Sequence, residues 1–126
     1  MIMGLFDSFM GNASKINKEE LAREFSPMLA DNEHIEQAFA VFRDKWVFTN
    51  RRLIILNVQG MTGKKREYMS IPYRSIVRYS IETAGTFDLD AELKIWLSGS
   101  DIPFEQKFNS SSNLPELQRM LALHIL

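Results

Sequence analysis

The sequence contains no cysteine and very little histidine. The missing cysteine excludes disulfide bridges, thiolate nucleophiles and sulfur-bound zinc sites, because each of them needs its side chain. The two histidines, His34 and His124, lie far apart and belong to no ligand motif. Neither has an evident acidic partner in the sequence, and no serine lies in a nucleophile elbow. We therefore predict a protein that is not an enzyme and has no cofactor.

Long apolar runs and an excess of one charge are missing as well. The longest strongly apolar stretch, LIIL at residues 53–56, is far shorter than the roughly 20 residues of a membrane-spanning helix. The N-terminal residues lack the basic and apolar regions of a secretory signal. The net charge is -1, whereas general nucleic-acid binding needs a basic excess. We predict a cytoplasmic protein that does not bind nucleic acid.

A chain of 126 residues with 45% hydrophobic residues is long enough for one domain with its own core. Its first part is predicted to be helical. Residues 3–11 form a short amphipathic pattern, and Asn17 with Glu20 resembles a capping box at the start of a second helix. Pro27 predicts that this helix ends or kinks at the preceding residue. We interpret residues 1–31 as a helical N-terminal extension.

From residue 33 the hydrophobic period changes to two, which is typical of β-strands. In the fifth strand, Val77, Tyr79 and Ile81 are predicted to face the core. A capping pattern at Asn113 then begins a C-terminal helix with an apolar stripe. The predicted fold of residues 32–126 is mainly β (α+β), a bent seven-stranded sheet or barrel capped by that helix. The predicted strands occupy residues 35–41, 46–49, 53–58, 65–71, 77–82, 89–97 and 102–108.

Four local motifs occur in order along this part of the chain. They are WVFTNRRLI at residues 46–54, GMTGKK at 60–65, IPYRSI at 71–76 and ETAGTFDLDAEL at 82–93. Together they resemble the bacterial pleckstrin-homology-like (PH-like) family. The resemblance implies a PH-like barrel with no established enzymatic activity and a role in protein interaction. It also implies cyclic, ring-shaped homo-oligomers, with five protomers favoured.

The hairpin at residues 77–97 carries the predicted interaction surface, because one of its faces is charged and contains Trp96. That tryptophan is interpreted either as an anchor in a contact surface or as a residue that one of the helices covers. The carboxylates at positions 88, 90 and 92 share this face. They are weak candidates for a calcium or magnesium site, and they also fit a solvated strand or an ionic contact with a neighbouring protomer. The predicted surface consists of Trp96, Arg78, Glu82, Asp88, Asp90, Glu92 and Lys94.

The glycine loop at residues 60–63 offers a second candidate, because Lys64, Lys65 and Arg66 follow it. Loop amides and three cations could bind an anion there, although a solvated hairpin loop explains the same pattern. The loop at residues 43–45 is too short for the usual phosphoinositide site. The sequence therefore predicts an assembly module that contacts copies of itself and an unknown protein. The alternative is a peripheral membrane or anion-binding module that uses its basic loops.

Overall fold

The computed structural model describes residues 17–83, 91–108 and 113–126. Within these ranges, seven strands form two antiparallel sheets, ordered β1-β2-β3-β4 and β5-β6-β7. The predicted mainly β fold with a C-terminal helix and a short N-terminal helix is confirmed, whereas the helix predicted at residues 3–11 lies outside the described residues. The elements are α1 (Lys18–Phe25), β1 (Ile35–Val41), β2 (Asp44–Thr49), β3 (Arg52–Gln59), β4 (Lys65–Pro72), β5 (Ile76–Thr83), β6 (Ala91–Leu97), β7 (Phe104–Phe108) and α2 (Leu114–Ile125).

Helix α1 begins and ends where its sequence predicts. The Asn17 side-chain oxygen accepts hydrogen bonds from the amides of Glu19 and Glu20, at 2.9 and 3.1 Å. These bonds satisfy two of the backbone donors that a helix start leaves free. A 3₁₀ turn at Ser26–Met28, which contains Pro27, follows the helix directly.

The main core lies between the two sheets and is closed by α2. Trp46 of β2 is fully buried there, with ring centroids of Phe104 and Phe108 at 6.0 and 5.6 Å. Helix α2 contributes Leu117, Met120 and Leu121 to this core. The helix therefore caps the main core with its apolar side, as predicted.

A second core lies on the outer face of the first sheet, where α1 packs. Leu21 and Phe25 of α1 are fully buried against a set of side chains from β1, β2 and β3. Residues 53–56 are buried on both faces of β3, since alternate side chains enter the two cores. This double burial explains why residues 53–56 are all apolar. The sheet residues of the second core are Ile35, Ala38, Val47, Ile54 and Leu56.

Strand β5 differs from the prediction at one residue. The register with β6 shifts between Ile76 and Arg78, so Val77 is the extra residue of a bulge. Ile76 takes the core position, and Val77 is 57% exposed. The prediction that Val77 faces the core is therefore wrong, whereas Tyr79 and Ile81 do pack against the core.

Candidate functional site

The outer face of the second sheet gathers most of the predicted interaction residues. The strand registers place Arg78 beside Trp96, Ser80 beside Lys94, and Glu82 beside Glu92. On the other side of β6, Glu105 lies beside Lys94 and Lys107 beside Glu92. We call this surface the β6 face; Asp88 and Asp90, also predicted to belong to it, lie outside the described residues. Its residues are Arg78, Ser80, Glu82, Glu92, Lys94, Trp96, Glu105 and Lys107.

Trp96 is the largest side chain of the β6 face and is half-buried. The Arg78 guanidinium lies over its ring, with Cζ 4.4 Å from the ring centroid. This is a cation–π contact, which restrains both side chains. Helix α1 packs on the first sheet, and α2 packs against the main core. In the described part of the chain, neither helix covers the β6 face.

The β6 face carries charges of both signs, and it includes one pair of like charges, Glu82 beside Glu92. Lys94 lies between Ser80 and Glu105, and Glu92 lies between Glu82 and Lys107. Such a mixed pattern suits a polar contact in which charges set the register. In residues 17–83, 91–108 and 113–126, no three histidine or acidic side chains are placed to hold a metal ion. Glu92 is the one weak metal candidate whose position can be given.

The β1–β2 turn and the β3–β4 loop lie at the same end of the first sheet and are tied together. Arg43 donates hydrogen bonds to the carbonyl oxygens of Gly60 and Val58, at 2.7 and 3.2 Å. Phe42 in this turn has a φ of +57° and is 69% exposed, and Met61 in the loop is fully exposed. We call these two residues, together with the exposed Lys64 and Lys65, the loop-tip patch.

The third cation predicted for the glycine loop, Arg66, is held elsewhere. Its Nη1 lies 2.6 Å from Oε2 of Glu24, and the Tyr68 hydroxyl donates to the same oxygen at 2.5 Å. Lys45 donates to the other carboxylate oxygen at 3.1 Å. Burial raises the pKa of Glu24, but the bonds from Tyr68 and Lys45 outweigh it and hold the pKa below its ordinary value. The anion contact predicted for Arg66 would therefore compete with Glu24.

Both histidines meet at Glu36, a contact that the sequence did not reveal. His124 Nε2 lies 2.6 Å from Glu36 Oε1, and His34 Nε2 lies 3.9 Å from Oε2. The Tyr73 ring stacks on His124 with centroids 4.2 Å apart, and its hydroxyl donates to the Thr49 carbonyl at 2.6 Å. Burial raises the pKa of Tyr73, so its hydroxyl stays a donor. The group ties the end of α2 to β1.

A buried acid, Glu33, also finds its partners only in the fold. Arg52 binds both of its carboxylate oxygens, at 2.7 and 2.9 Å, and the Thr49 hydroxyl donates to one of them at 2.7 Å. A groove of about 390 Å³ runs beside this pair. Because the carboxylate is only 1% exposed and already bound, it offers little to a ligand. The groove is lined by Met28, Leu29, Ala30, Glu33, Arg51, Arg52 and Pro72.

Comparison with known proteins agrees with the two-sheet architecture and its capping helix. The sequence model of the family described as "Bacterial PH domain" matches residues 4–125. The chain belongs to this family. The family resemblance found in the sequence motifs is therefore confirmed.

Three relatives of this bacterial PH domain match it over nearly their whole length. The uncharacterized protein YjqA of Bacillus subtilis is 47% identical over 121 residues, which are 95% of this chain and 97% of YjqA. A crystallised pleckstrin homology domain from Shewanella amazonensis is 46% identical with a TM-score of 0.82, covering 96% of this chain and 98% of its own. A DUF1696 family protein with a pleckstrin-homology domain, from Shewanella loihica, is 45% identical with a TM-score of 0.79, covering 88% and 95%.

The helices of this bacterial PH domain pack against its sheets. In the described ranges, neither α1 nor α2 has the length and apolar character needed to cross a bilayer.

Proposed function

We propose that this bacterial PH domain is a non-enzymatic protein-interaction module that assembles with copies of itself into a cyclic ring. Five protomers are favoured, as the family resemblance implies, together with a cytoplasmic location and a further, unknown protein partner. The observation that carries the proposal is the β6 face, where Arg78 lies over Trp96 and no described helix covers the sheet.

The composition of the β6 face supports a contact with protein. Tryptophan and arginine are enriched among the residues that contribute most to protein–protein binding. Stacking on Arg78 restricts the Trp96 ring before any partner arrives, which lowers the entropy lost on binding. The corresponding outer face of the first sheet is already covered by α1. The β6 face is thus the sheet surface best suited to a partner.

Light scattering coupled to size exclusion tests the assembly. We expect the wild-type chain to form one defined multimer of its 14.6 kDa protomer. Trp96→Ala should raise the dissociation constant about thirtyfold, because loss of an interface anchor costs about 2 kcal/mol. Met61→Ala, which removes an exposed side chain at the loop tip, is the matched control and should leave the multimer unchanged. A wild-type mass of one protomer at every concentration would contradict the proposal.

A second candidate, an anionic membrane surface, is favoured by the loop-tip patch. A positive φ is costly for a phenylalanine, and at Phe42 no burial of the side chain offsets the cost. Backbone strain at an exposed residue of this kind is common at functional sites. Phe42 and Met61 could enter the headgroup region of a bilayer, while Lys64 and Lys65 attract anionic lipid at about 1 kcal/mol each.

Vesicle sedimentation tests this second candidate. At low salt we expect the chain to pellet with phosphatidylserine vesicles and to remain in solution with pure phosphatidylcholine. Phe42→Asn should weaken pelleting while raising the melting temperature, since asparagine tolerates a positive φ. The double change Lys64→Glu and Lys65→Glu should abolish pelleting, whereas Lys107→Glu, a charge reversal on the β6 face, should not. Absence of pelleting at low salt would rule the candidate out.

A further inference from the structure

The two sheets differ in what covers their outer faces. On the first sheet, α1 buries Leu21 and Phe25 against the strands. Its Glu24 carboxylate is bound by Lys45 and Arg66 from the sheet below. The outer face of the second sheet is the β6 face, and neither helix of the described chain covers it. The first sheet thus shows the kind of element that the β6 face lacks, a helix whose charged side chain meets charges on the strands.

The strand registers divide the β6 face into three rows that run across the strands and differ in charge. The first row has a net charge of +1, the charges of the second row cancel, and in the third row two carboxylates outweigh one ammonium, which leaves -1. The first and third rows lie four residues apart along β5, which is about 13 Å. The β6 face is therefore positive at one end and negative at the other. The rows are Arg78 with Trp96; Ser80, Lys94 and Glu105; and Glu82, Glu92 and Lys107.

Arg78, at the positive end, is oriented to bind a carboxylate. Its guanidinium lies over the Trp96 ring, with Cζ 4.4 Å from the ring centroid. Stacking uses the flat face of the group and leaves the N–H donors at its edge available. In residues 17–83, 91–108 and 113–126, no hydrogen bond or ion pair occupies these donors. A guanidinium held in this way can bind both oxygens of a carboxylate with little further loss of side-chain entropy.

The negative end consists of two carboxylates that the described fold leaves without a bound cation. Glu82 and Glu92 lie directly opposite each other on β5 and β6. Like charges in this position destabilise the pairing of the strands. Lys107 is in register with Glu92, but among the described residues no ion pair joins either carboxylate to a cation. A basic side chain placed between the two carboxylates removes this repulsion.

We propose that the β6 face binds a helix of a second protein, which carries an acidic side chain and, two turns further along, a basic one. The proposal rests on the proposed function and names the chemistry of its unknown partner. Residues seven positions apart share one face of a helix and lie about 10.5 Å apart along its axis, so their side chains reach both ends of the β6 face. The acid meets Arg78, the base meets Glu82 and Glu92, and an apolar residue beside the acid contacts Trp96.

Fluorescein-labelled helical peptides test this charge pattern, with fluorescence anisotropy as the measurement. The probe is an alanine-rich helix with two charged positions seven residues apart and a leucine one turn after the first of them. Its versions carry glutamate and lysine, two glutamates, two lysines or two glutamines at these positions. At low salt we expect the glutamate–lysine peptide to bind the wild-type chain at least about tenfold more tightly than the others, because each of them leaves one end of the face unmatched. Added salt should reduce this preference.

Charge reversals on the protein should change which peptide is preferred, a result that misfolding cannot produce. Arg78→Glu makes both ends of the face negative and should select the two-lysine peptide. Glu82→Lys with Glu92→Lys makes both ends positive and should select the two-glutamate peptide. Arg23→Glu, a reversal on the exposed face of α1, is the matched control and should keep the glutamate–lysine preference. Equal binding of all versions to the wild-type chain, or an unchanged preference in Arg78→Glu, would overturn the proposal.

Light scattering during the peptide titration separates partner binding from self-assembly. If the β6 face also holds copies of the chain together, saturating glutamate–lysine peptide should dissociate the multimer, which supports both proposals. Peptide binding to a multimer that stays intact would support the partner helix and place the contact between copies on another surface. A multimer that depends on Trp96 but binds none of the peptides would overturn the partner helix alone. A monomeric chain that binds none of them would overturn both proposals.

Discussion

Arg52→Met should lower the free energy of unfolding by about 3–5 kcal/mol, because it leaves the Glu33 carboxylate buried without its cation. The Arg52 guanidinium does more than neutralise this charge. It also donates to the Met28 carbonyl at 2.6 Å and to the Ser70 hydroxyl at 2.8 Å. One side chain thus joins the turn after α1 to both β3 and β4. Urea denaturation of the purified variant measures the loss.

Two controls separate this effect from a general cost of removing a charge. Arg119→Ala breaks the exposed pair with Glu116 on α2, and we expect a change below about 0.5 kcal/mol. The double variant Glu33→Met and Arg52→Met should be more stable than Arg52→Met alone, since it leaves no unpaired buried charge. A loss below about 1 kcal/mol in Arg52→Met would contradict the role assigned to the pair.

The Glu33 network also predicts how stability depends on pH. Burial alone would raise the pKa of Glu33, but bonds from Arg52, the Ala30 amide and Thr49 lower it from 4.5 to about 2. A folded-state pKa below the unfolded value means that the contribution is present above pH 4.5 and is lost as the pH falls toward 2. The difference corresponds to about 3 kcal/mol. This acid sensitivity should largely disappear in the double methionine variant.

Phe25→Ala should lower the free energy of unfolding by a similar amount, about 3–5 kcal/mol. The Phe25 ring is fully buried in the second core and meets the Tyr68 ring edge-on, with centroids 5.7 Å apart. Its removal leaves a cavity between α1 and the first sheet, which a helix of only eight residues cannot easily close. Chemical denaturation, with tryptophan fluorescence as the signal, measures the change.

The same variant tests the division of the chain at residue 31. If residues 1–31 were a dispensable extension of the domain, Phe25→Ala would leave the unfolding transition of the sheets unchanged. Arg23→Ala is the matched control, because Arg23 lies on the exposed face of the same helix and should change stability by less than about 0.5 kcal/mol. A large loss of unfolding free energy in Phe25→Ala, but not in Arg23→Ala, would show that α1 unfolds together with the sheets.

The sequence predicts the strands and the helices well, because their signals are local. Alternation in β6, the cap at Asn17 and the stripe of α2 each involve residues close together in the chain. The bulge at Val77 could not be predicted, since alternation continues through it and only the pairing with β6 shows the extra residue. A regular pattern therefore misplaced one side chain without misplacing the strand.

The side-chain partners were predicted less well, because they depend on how distant elements pack. The two-residue alternation of the sequence placed Trp96 and Arg78 on one face, but the stack between them follows from the β5–β6 register. The contacts of Glu33 with Arg52 and of Glu36 with His124 join separate elements and leave no local pattern. Phe42 and Met61 were missed because exposure of an apolar residue in a turn is visible only in the fold.

The bond between Glu36 and His124 joins residues 88 positions apart in the chain. During synthesis, β1 leaves the ribosome long before the last turn of α2 does. Until that turn emerges, the main core lacks the helix that closes it, and the nascent domain exposes core side chains such as Leu93 and Ile95. The fold is therefore completed only after α2 has been translated. Chains truncated within α2 should be degraded readily by cellular proteases.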